Sequence, residues 1–164
     1  AGYLSRKKLQ GFLLDSNTKV LIEQSSSGEL QGFSVLQILT HAQLKEDLMC
    51  DTHWIKENFE EFDLLGYRNM TAVSAKFRGK GFAKKLAKKG NAWFEGRVKV
   101  ILSMAWVKDG VAPFAGILLK EGFTAVCNLK NAWYKESLIE KTDCPVCGTP
   151  PCKCSAVVYA KFMN

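Results

Sequence analysis

Four of the six cysteines fall within residues 144–154, as Cys144-x2-Cys147-x4-Cys152-x-Cys154. Pro145, Gly148, Pro150 and Pro151 are interleaved with them. A Cys-Pro-Val-Cys-Gly turn resembles a zinc knuckle, which aims two thiolates at one ion, and four thiolates complete a tetrahedral structural site. Cys152 and Cys154 in extended chain point to one face, which suits shared ligation. The spacing is tighter than that of a zinc ribbon, whose pairs lie about 15–20 residues apart. Structural zinc, reduced thiols in a proline-stiffened loop and a disulfide therefore all stay open. A shell of four cysteines has no open position, which argues against a catalytic metal. Cys50 and Cys127 read as buried single thiols. His41 and His53 are isolated along the chain and fit surface or capping roles.

A second cluster is basic. Residues 76–89 (KFRGKGFAKKLAKK) hold seven Lys or Arg and no acid, and the chain carries 23 basic against 16 acidic side chains. The whole formal excess of +7 therefore sits in this segment. A localised excess points to a specific anionic ligand or to a solvated lysine face. The junction Val73-Ser74-Ala75-Lys76-Phe77-Arg78-Gly79-Lys80-Gly81-Phe82-Ala83 reads as strand, glycine turn, helix. Peptide N–H groups at a helix start lack internal partners and, with the helix dipole, bind anions. Gly81 lets the backbone approach a phosphate, Ala83 leaves room, and Arg78 and Lys80 add charge. A phosphate or pyrophosphate is the implied ligand. The spacing matches neither the P-loop nor the dinucleotide fingerprint.

These groups need elements to position them. Residues 6–14 read as a short helix, 19–24 and 30–40 as a hairpin about Ser25–Gly28, and 43–61 as a helix that can break near Asp51-Thr52. Residues 64–75 form a strand, 82–95 a helix, and 98–107 (VKVILSMAWV) an apolar central strand. Gly90 inside the helix costs about 1 kcal/mol relative to Ala and marks close packing. A helix spans 112–121, with Pro113 in its first turn and Gly122 at its C′ position. Residues 123–140 read as one strand or two, and 154–163 as the last strand. Strand–helix–strand units with hairpins imply an α/β class with a mixed sheet.

Arg78-Gly79-Lys80-Gly81-Phe82-Ala83 resembles the (Q/R)-x-x-G-x-(G/A) signature of the GNAT N-acetyltransferase superfamily. The run TAVSAKFRGKGFAKKL is similar to that family's motif A. Residues 115–123 (AGILLKEGF) resemble its later helix, which often ends in Gly-Phe, and Gly32-Phe33 resembles a glycine common in the strand before motif A. The resemblance covers residues 64–125 best and 19–40 in part. It implies a GNAT-like acyl-CoA N-acyltransferase fold over 1–164, with the N-terminal strand and helix shortened and a cysteine-rich loop at 144–154 between the last strands. It implies acetyl-CoA as co-substrate and direct acyl transfer to an amine, on a small molecule or a peptide. Carried over, the backbone at Val73 would hold the pantetheine arm, and the N–H groups of Gly79, Lys80, Gly81, Phe82 and Ala83 the pyrophosphate. Arg78 would shape the loop, Lys84 would reach a phosphate, and Lys85 and Lys88 would face the 3′-phosphate.

The sequence departs from the family pattern where protons move. The Asn and Tyr often found six residues apart on the later helix correspond to Ala112 and Leu118. The carboxylate some members carry on the motif A strand corresponds to Tyr67. Tyr67 and Tyr134 are the catalytic candidates, with Ser103, Glu60 and Glu61 as further polar groups. A CoA-binding protein without catalysis is one alternative. A nucleic-acid-binding module with a zinc knuckle is another, though only Phe77 and Phe82 interleave the basic run, which argues against it.

Composition bounds these readings. The chain of 164 residues is 47% hydrophobic and 24% charged, with mean hydropathy −0.08. That excludes wholesale disorder, collagen-like and coiled-coil classes. No apolar run approaches the ~18–20 residues of a membrane span, and the N-terminal Ala1–Lys8 segment lacks the order of a signal peptide. The expectation is one cytoplasmic domain without a membrane partner, compatible with a homodimer.

Overall fold

The computed structural model describes residues 5–163. The Ala1-Gly2-Tyr3-Leu4 part of the segment read against a signal peptide lies outside them. Helix α1 (Arg6–Leu14) starts where Ser5 Oγ accepts the Lys8 N–H at 3.2 Å. Strands β1 (Thr18–Gln24) and β2 (Leu30–Leu39) form the expected antiparallel hairpin. Helix α2 (His41–Leu48) opens with a capping box between Thr40 and Gln43 and stops where Met49 turns left-handed at φ 49°. Helix α3 (His53–Phe59) resumes beyond Asp51, whose Oδ1 accepts the His53 N–H at 3.1 Å. The helix expected over 43–61 is thus two, broken at the anticipated place.

Strand β3 (Leu65–Val73) leads through one 3₁₀ turn (Ala75–Phe77) into α4 (Phe82–Phe94) and then β4 (Val100–Trp106). Helix α5 (Ala115–Lys120) begins three residues later than expected, so Pro113 precedes its first turn. It closes as expected at a left-handed Gly122 (φ 85°), with the Phe123 N–H bonded to Leu118 O at 3.0 Å. Residues 123–140 are one strand, β5 (Thr124–Leu129), followed by a helix, α6 (Tyr134–Glu140). The expectation of one or two strands there fails in its second half. Strand β6 (Ala156–Phe162) ends the sheet.

The six strands lie in the order β1-β2-β3-β4-β6-β5. Only β3 and β4 pair in parallel, and β6 returns antiparallel between β4 and β5. The apolar run of β4 lies at the centre, with Val100, Ile101 and Leu102 essentially inaccessible. One sheet face is covered by α2 and α3 through Leu44, Ile55 and Phe59. The other packs under α4 and α5 through Phe94 and Leu118. Each such side chain contributes about 1.5–3 kcal/mol of burial free energy, opposed by ordering entropy.

The parallel pair is short. It runs only over Gly66–Arg68 against Ile101–Ser103. Beyond, β3 continues to Val73 against β2, and β4 continues to Trp106 against β6. The cause lies in the β2–β3 ladder, where Val35 pairs with Met70 and Leu36 with Arg68, leaving Asn69 as an extra residue. Such a bulge bends and twists its strand. The two strands therefore part as a fork, and among the described residues their facing main-chain edges past Arg68 and Ser103 have no strand partner.

Candidate functional site

The glycine turn lies at the mouth of this fork, because the chain reaches α4 directly from the open end of β3. Gly81 is the N-cap of α4 at φ 84°, and Gly79 has φ 75°. Both conformations favour glycine, since a Cβ there clashes with the backbone. Among the described residues, the N–H groups of residues 79–84 make no hydrogen bond to the protein. The turn is held from outside: Arg78 Nε donates to Val73 O at 3.3 Å. Phe77 stacks edge-on against Phe82 with centroids 6.0 Å apart. Lys80 Nζ lies 5.3 Å above the Phe77 ring. The result is a row of free donors, a helix N-terminus and positive side chains, the arrangement that takes an anion.

The basic run is sorted by its ion pairs. Lys76 pairs with Glu29. Glu23, only 5% exposed, accepts from Lys85 at 2.6 Å and Lys89 at 2.5 Å. Those two lysines hold its carboxyl below the ordinary range. Lys85, expected at a 3′-phosphate, is therefore committed to β1. Lys84 and Lys88 have no carboxylate partner among the described residues.

Arg68, which sequence reading missed, closes the base of the fork. It is 3% exposed, and its guanidinium donates to Leu86 O, Ala87 O and Asn91 Oδ1 at 3.2–3.4 Å. Asn91 Nδ2 in turn donates to Glu121 Oε2 at 3.3 Å. Burial lowers the Arg68 pKa to about 10, against the pull of Glu121. Gly90 makes the space: a Cβ there would lie 2.5 Å from an Arg68 nitrogen. The sequence expectation of close packing at Gly90 is met by a guanidinium.

On the opposite face of the sheet the fork meets a polar group of residues. Tyr67 is 7% exposed, its hydroxyl 3.9 Å from Met104 Sδ. Burial pushes its pKa upward, and the nearby Glu136, Cys50 and Asp47 act in the same sense. Asn69, the bulge residue, donates to Gln37 Oε1 at 2.7 Å. Asp47, exposed on α2, lies among Lys8, Glu46, Gln37 and Glu136, and partial desolvation raises its pKa. Glu136 pairs with Lys8 at 3.4 Å. Asp47, which is exposed, and Glu136, which is half-buried, were also missed, because nothing in LKEDLM or YKESLIE marks either out from an ordinary surface carboxylate. Tyr134 is 40% exposed and lines a surface cavity with Cys50, Asp51 and Lys135.

Other candidates lie elsewhere. Glu60 and Glu61 are exposed, and Glu61 adjoins Asp63 and Gly96 at the end where β3 begins. They are at the far end of the sheet from the fork. Ser103 forms its last parallel rung with Arg68. Leu118, in the place of the family's tyrosine, is fully buried. Cys50 and Cys127, expected as buried, are half-buried at the edge of the core under α2 and α3. Burial raises the Cys50 thiol to about 11. Cys144, Cys147, Cys152 and Cys154 come together, with all four Sγ atoms within 4.8 Å of one another.

No family model and no curated protein sequence matches the chain. Solved structures do. The structure of Arabidopsis thaliana NAA60 in complex with acetyl-CoA is similar with TM-score 0.66, at 14% identity, over 96% of this chain and 83% of that one. The ribosomal-protein-S18-alanine N-acetyltransferase of Escherichia coli is similar with TM-score 0.63, at 12% identity, over 98% and 77%. Arylalkylamine N-acetyltransferase 2 of Aedes aegypti is similar with TM-score 0.59, at 17% identity, over 96% and 78%. At these identities the likeness is one of fold: the chain has the GNAT N-acetyltransferase fold, with its cysteine cluster between β5 and β6. Among the described residues no helix is long and apolar enough to cross a membrane.

Proposed function

We propose that this chain, carrying the GNAT fold, transfers an acetyl group from acetyl-CoA directly to a primary amine of a small molecule or peptide. The observation that carries the reading is positional. The unbonded N–H groups of residues 79–84 open where β3 and β4 part. One extended ligand can thus hold an anion at the turn and insert a chain into the fork. Acetyl-CoA has that form, with a pyrophosphate, a 3′-phosphate and a pantetheine arm ending in a thioester.

In this reading the pyrophosphate lies against Gly79 to Ala83, and Lys84 and Lys88 meet the remaining phosphate charge. The pantetheine amides bond to the open edges of β3 and β4 from Val73 inward. The thioester carbonyl reaches the bulge at Asn69, where fork-facing N–H groups stabilise the oxyanion of the tetrahedral intermediate. Asp47 takes a proton from the incoming ammonium, and Glu136 adds the negative field that attracts it. The freed nitrogen attacks the carbonyl carbon, the C–S bond breaks, and a second nitrogen proton ends on the CoA sulfur. Leu118 supplies no proton there. The hydroxyls of Tyr67 and Tyr134 are the donors on that side of the sheet, and burial keeps Tyr67 protonated.

The test is calorimetric titration of acetyl-CoA into the wild type, Gly81→Glu and Gly81→Ala. Both variants carry the backbone strain of a side chain at φ 84°. Only the glutamate places an anion at the pyrophosphate. The expected result is binding by the wild type, a modest loss in Gly81→Ala, and at least a hundredfold loss in folded Gly81→Glu. No binding by folded wild type overturns the reading. Binding without acetyl transfer, across a panel of amines followed by mass spectrometry, would identify the non-catalytic protein that Leu118 also suits.

A further inference from the structure

We infer that Cys144, Cys147, Cys152 and Cys154 bind one zinc ion whose role is to brace α6, so that metal occupancy sets the acceptor side of the cleft and leaves the anion turn unchanged. The link to the acceptor side rests on the acetyltransferase reading. The brace itself does not.

The thiol geometry fits the ion. Cys154 Sγ lies 3.6 Å from Cys144 Sγ and 3.5 Å from Cys147 Sγ. A tetrahedron with Zn–S bonds of about 2.3 Å has edges of about 3.8 Å. Peptide N–H groups are aimed at the sulfurs: Val146 at Cys144 (3.5 Å) and Lys153 at Cys147 (3.3 Å). Such donors balance thiolate charge in metal sites. Two bonds of 2.8 Å between Cys144 and Gly148 close the knuckle.

The energetics favour a cross-link. Between α6 and β6 the chain has no helix or strand, and only Cys152 and Cys154 are buried there. Ordering each backbone residue costs about 1–2 kcal/mol. Two small buried thiols do not offset that, whereas structural zinc supplies roughly 10–16 kcal/mol at neutral pH.

Helix α6 depends on this knuckle. It has seven residues, no side-chain N-cap, and Ser137 as its buried residue. Leu138 and Ile139 are exposed. A free helix of that length does not persist in water. Its buried tie runs through Ser137 Oγ, which accepts the Cys152 N–H at 2.8 Å and donates to Tyr134 O at 2.9 Å. Cys152 is thus both a ligand and the anchor of α6. That helix carries Glu136 and Tyr134, whereas α4 packs on β1, β2, β3 and α5.

The experiment uses the full chain, purified without chelator and incubated with zinc chloride before exhaustive dialysis. Elemental analysis is expected to find one zinc per chain. Zinc is then displaced with a mercurial and EDTA, the thiols are restored, and hydrogen exchange is followed. Amides of α6 are expected to lose at least tenfold in protection while those of α4 change less than twofold, and zinc chloride is expected to restore them. Acetyl-CoA affinity is expected to stay within twofold. Ser137→Ala is expected to keep its zinc and still loosen α6. Less than about 0.2 zinc per chain overturns the site. Unchanged α6 protection after zinc removal, or equal loss in α4 and α6, overturns the brace. If zinc-loaded protein shows the α6 response but binds no acetyl-CoA, the acetyltransferase reading fails and the brace stands.

Discussion

Gly90 shows how one residue type is chosen against local preference. Alanine in a helix interior is favoured over glycine by about 1 kcal/mol. Here that methyl would lie 2.5 Å from an Arg68 guanidinium nitrogen. The guanidinium would have to leave Leu86 O, Ala87 O and Asn91 Oδ1 while still buried. A buried charged donor left without partners costs more than about 1–3 kcal/mol, so the loss wins. Gly90→Ala is expected to destabilise the fold by about 1–2 kcal/mol net, read as a lower urea midpoint at unchanged slope. A stability gain would show that Arg68 has another place to go. The sequence announces the glycine as an anomaly. Its partner was illegible, because Arg68 in GYRNM looks like a solvated strand residue until the strand is found at the sheet centre.

At the scale of elements, β1 and α4 are tied by Glu23, which is buried and accepts from Lys85 and Lys89. The lysines lower its pKa in the fold. The stabilisation is therefore fully present above the ordinary carboxylate value of 4.5 and is lost as pH falls through the lower folded value. Glu23→Gln is expected to cost about 1–2 kcal/mol at pH 7, with both lysines half-exposed and partly screened. The difference from wild type should shrink as pH falls below 4.5. A constant difference in thermal unfolding from pH 7 to pH 3 would show that packing, and not charge, accounts for it. The strands and the glycine turn were legible in outline, because β2 and β4 are largely apolar runs and Gly79-x-Gly81 punctuates a strand–helix junction. Helix α6 was not. YKESLIE buries a serine and exposes Leu138 and Ile139, so hydrophobic periodicity points the wrong way. The element is held by a hydrogen bond from Cys152, and no pattern within residues 134–140 encodes that.

At the scale of the whole molecule, the proposed acceptor side of the cleft is assembled from parts distant in sequence. Lys8 comes from α1, Gln37 from β2, Asp47 from α2, Asn69 from the β3 bulge and Glu136 from α6. The proposed phosphate side is one contiguous stretch, residues 73–84, and contiguity is why a sequence motif can propose it. The proposed acceptor side comes together only when α1, α2 and α6 fold beside one another, so no local motif encodes it. Partial desolvation raises the Asp47 pKa, so its carboxylate, the form that accepts a proton, predominates only above the usual aspartate range of about 3.9. Lys8 opposes that rise, and Glu46 and Glu136 add to it. If Asp47 is the base, kcat/KM rises with pH through the raised value and then levels. Asp47→Asn is expected to lower kcat/KM by about a hundredfold and to remove that limb, while acetyl-CoA affinity stays near wild type. Glu136→Gln should keep the limb but move it toward lower pH, because one neighbouring negative charge is gone. A limb that survives in Asp47→Asn would assign the proton to another group, with Tyr134 next to be tested. Retention of wild-type kcat/KM would leave the cleft carboxylates no part in proton transfer.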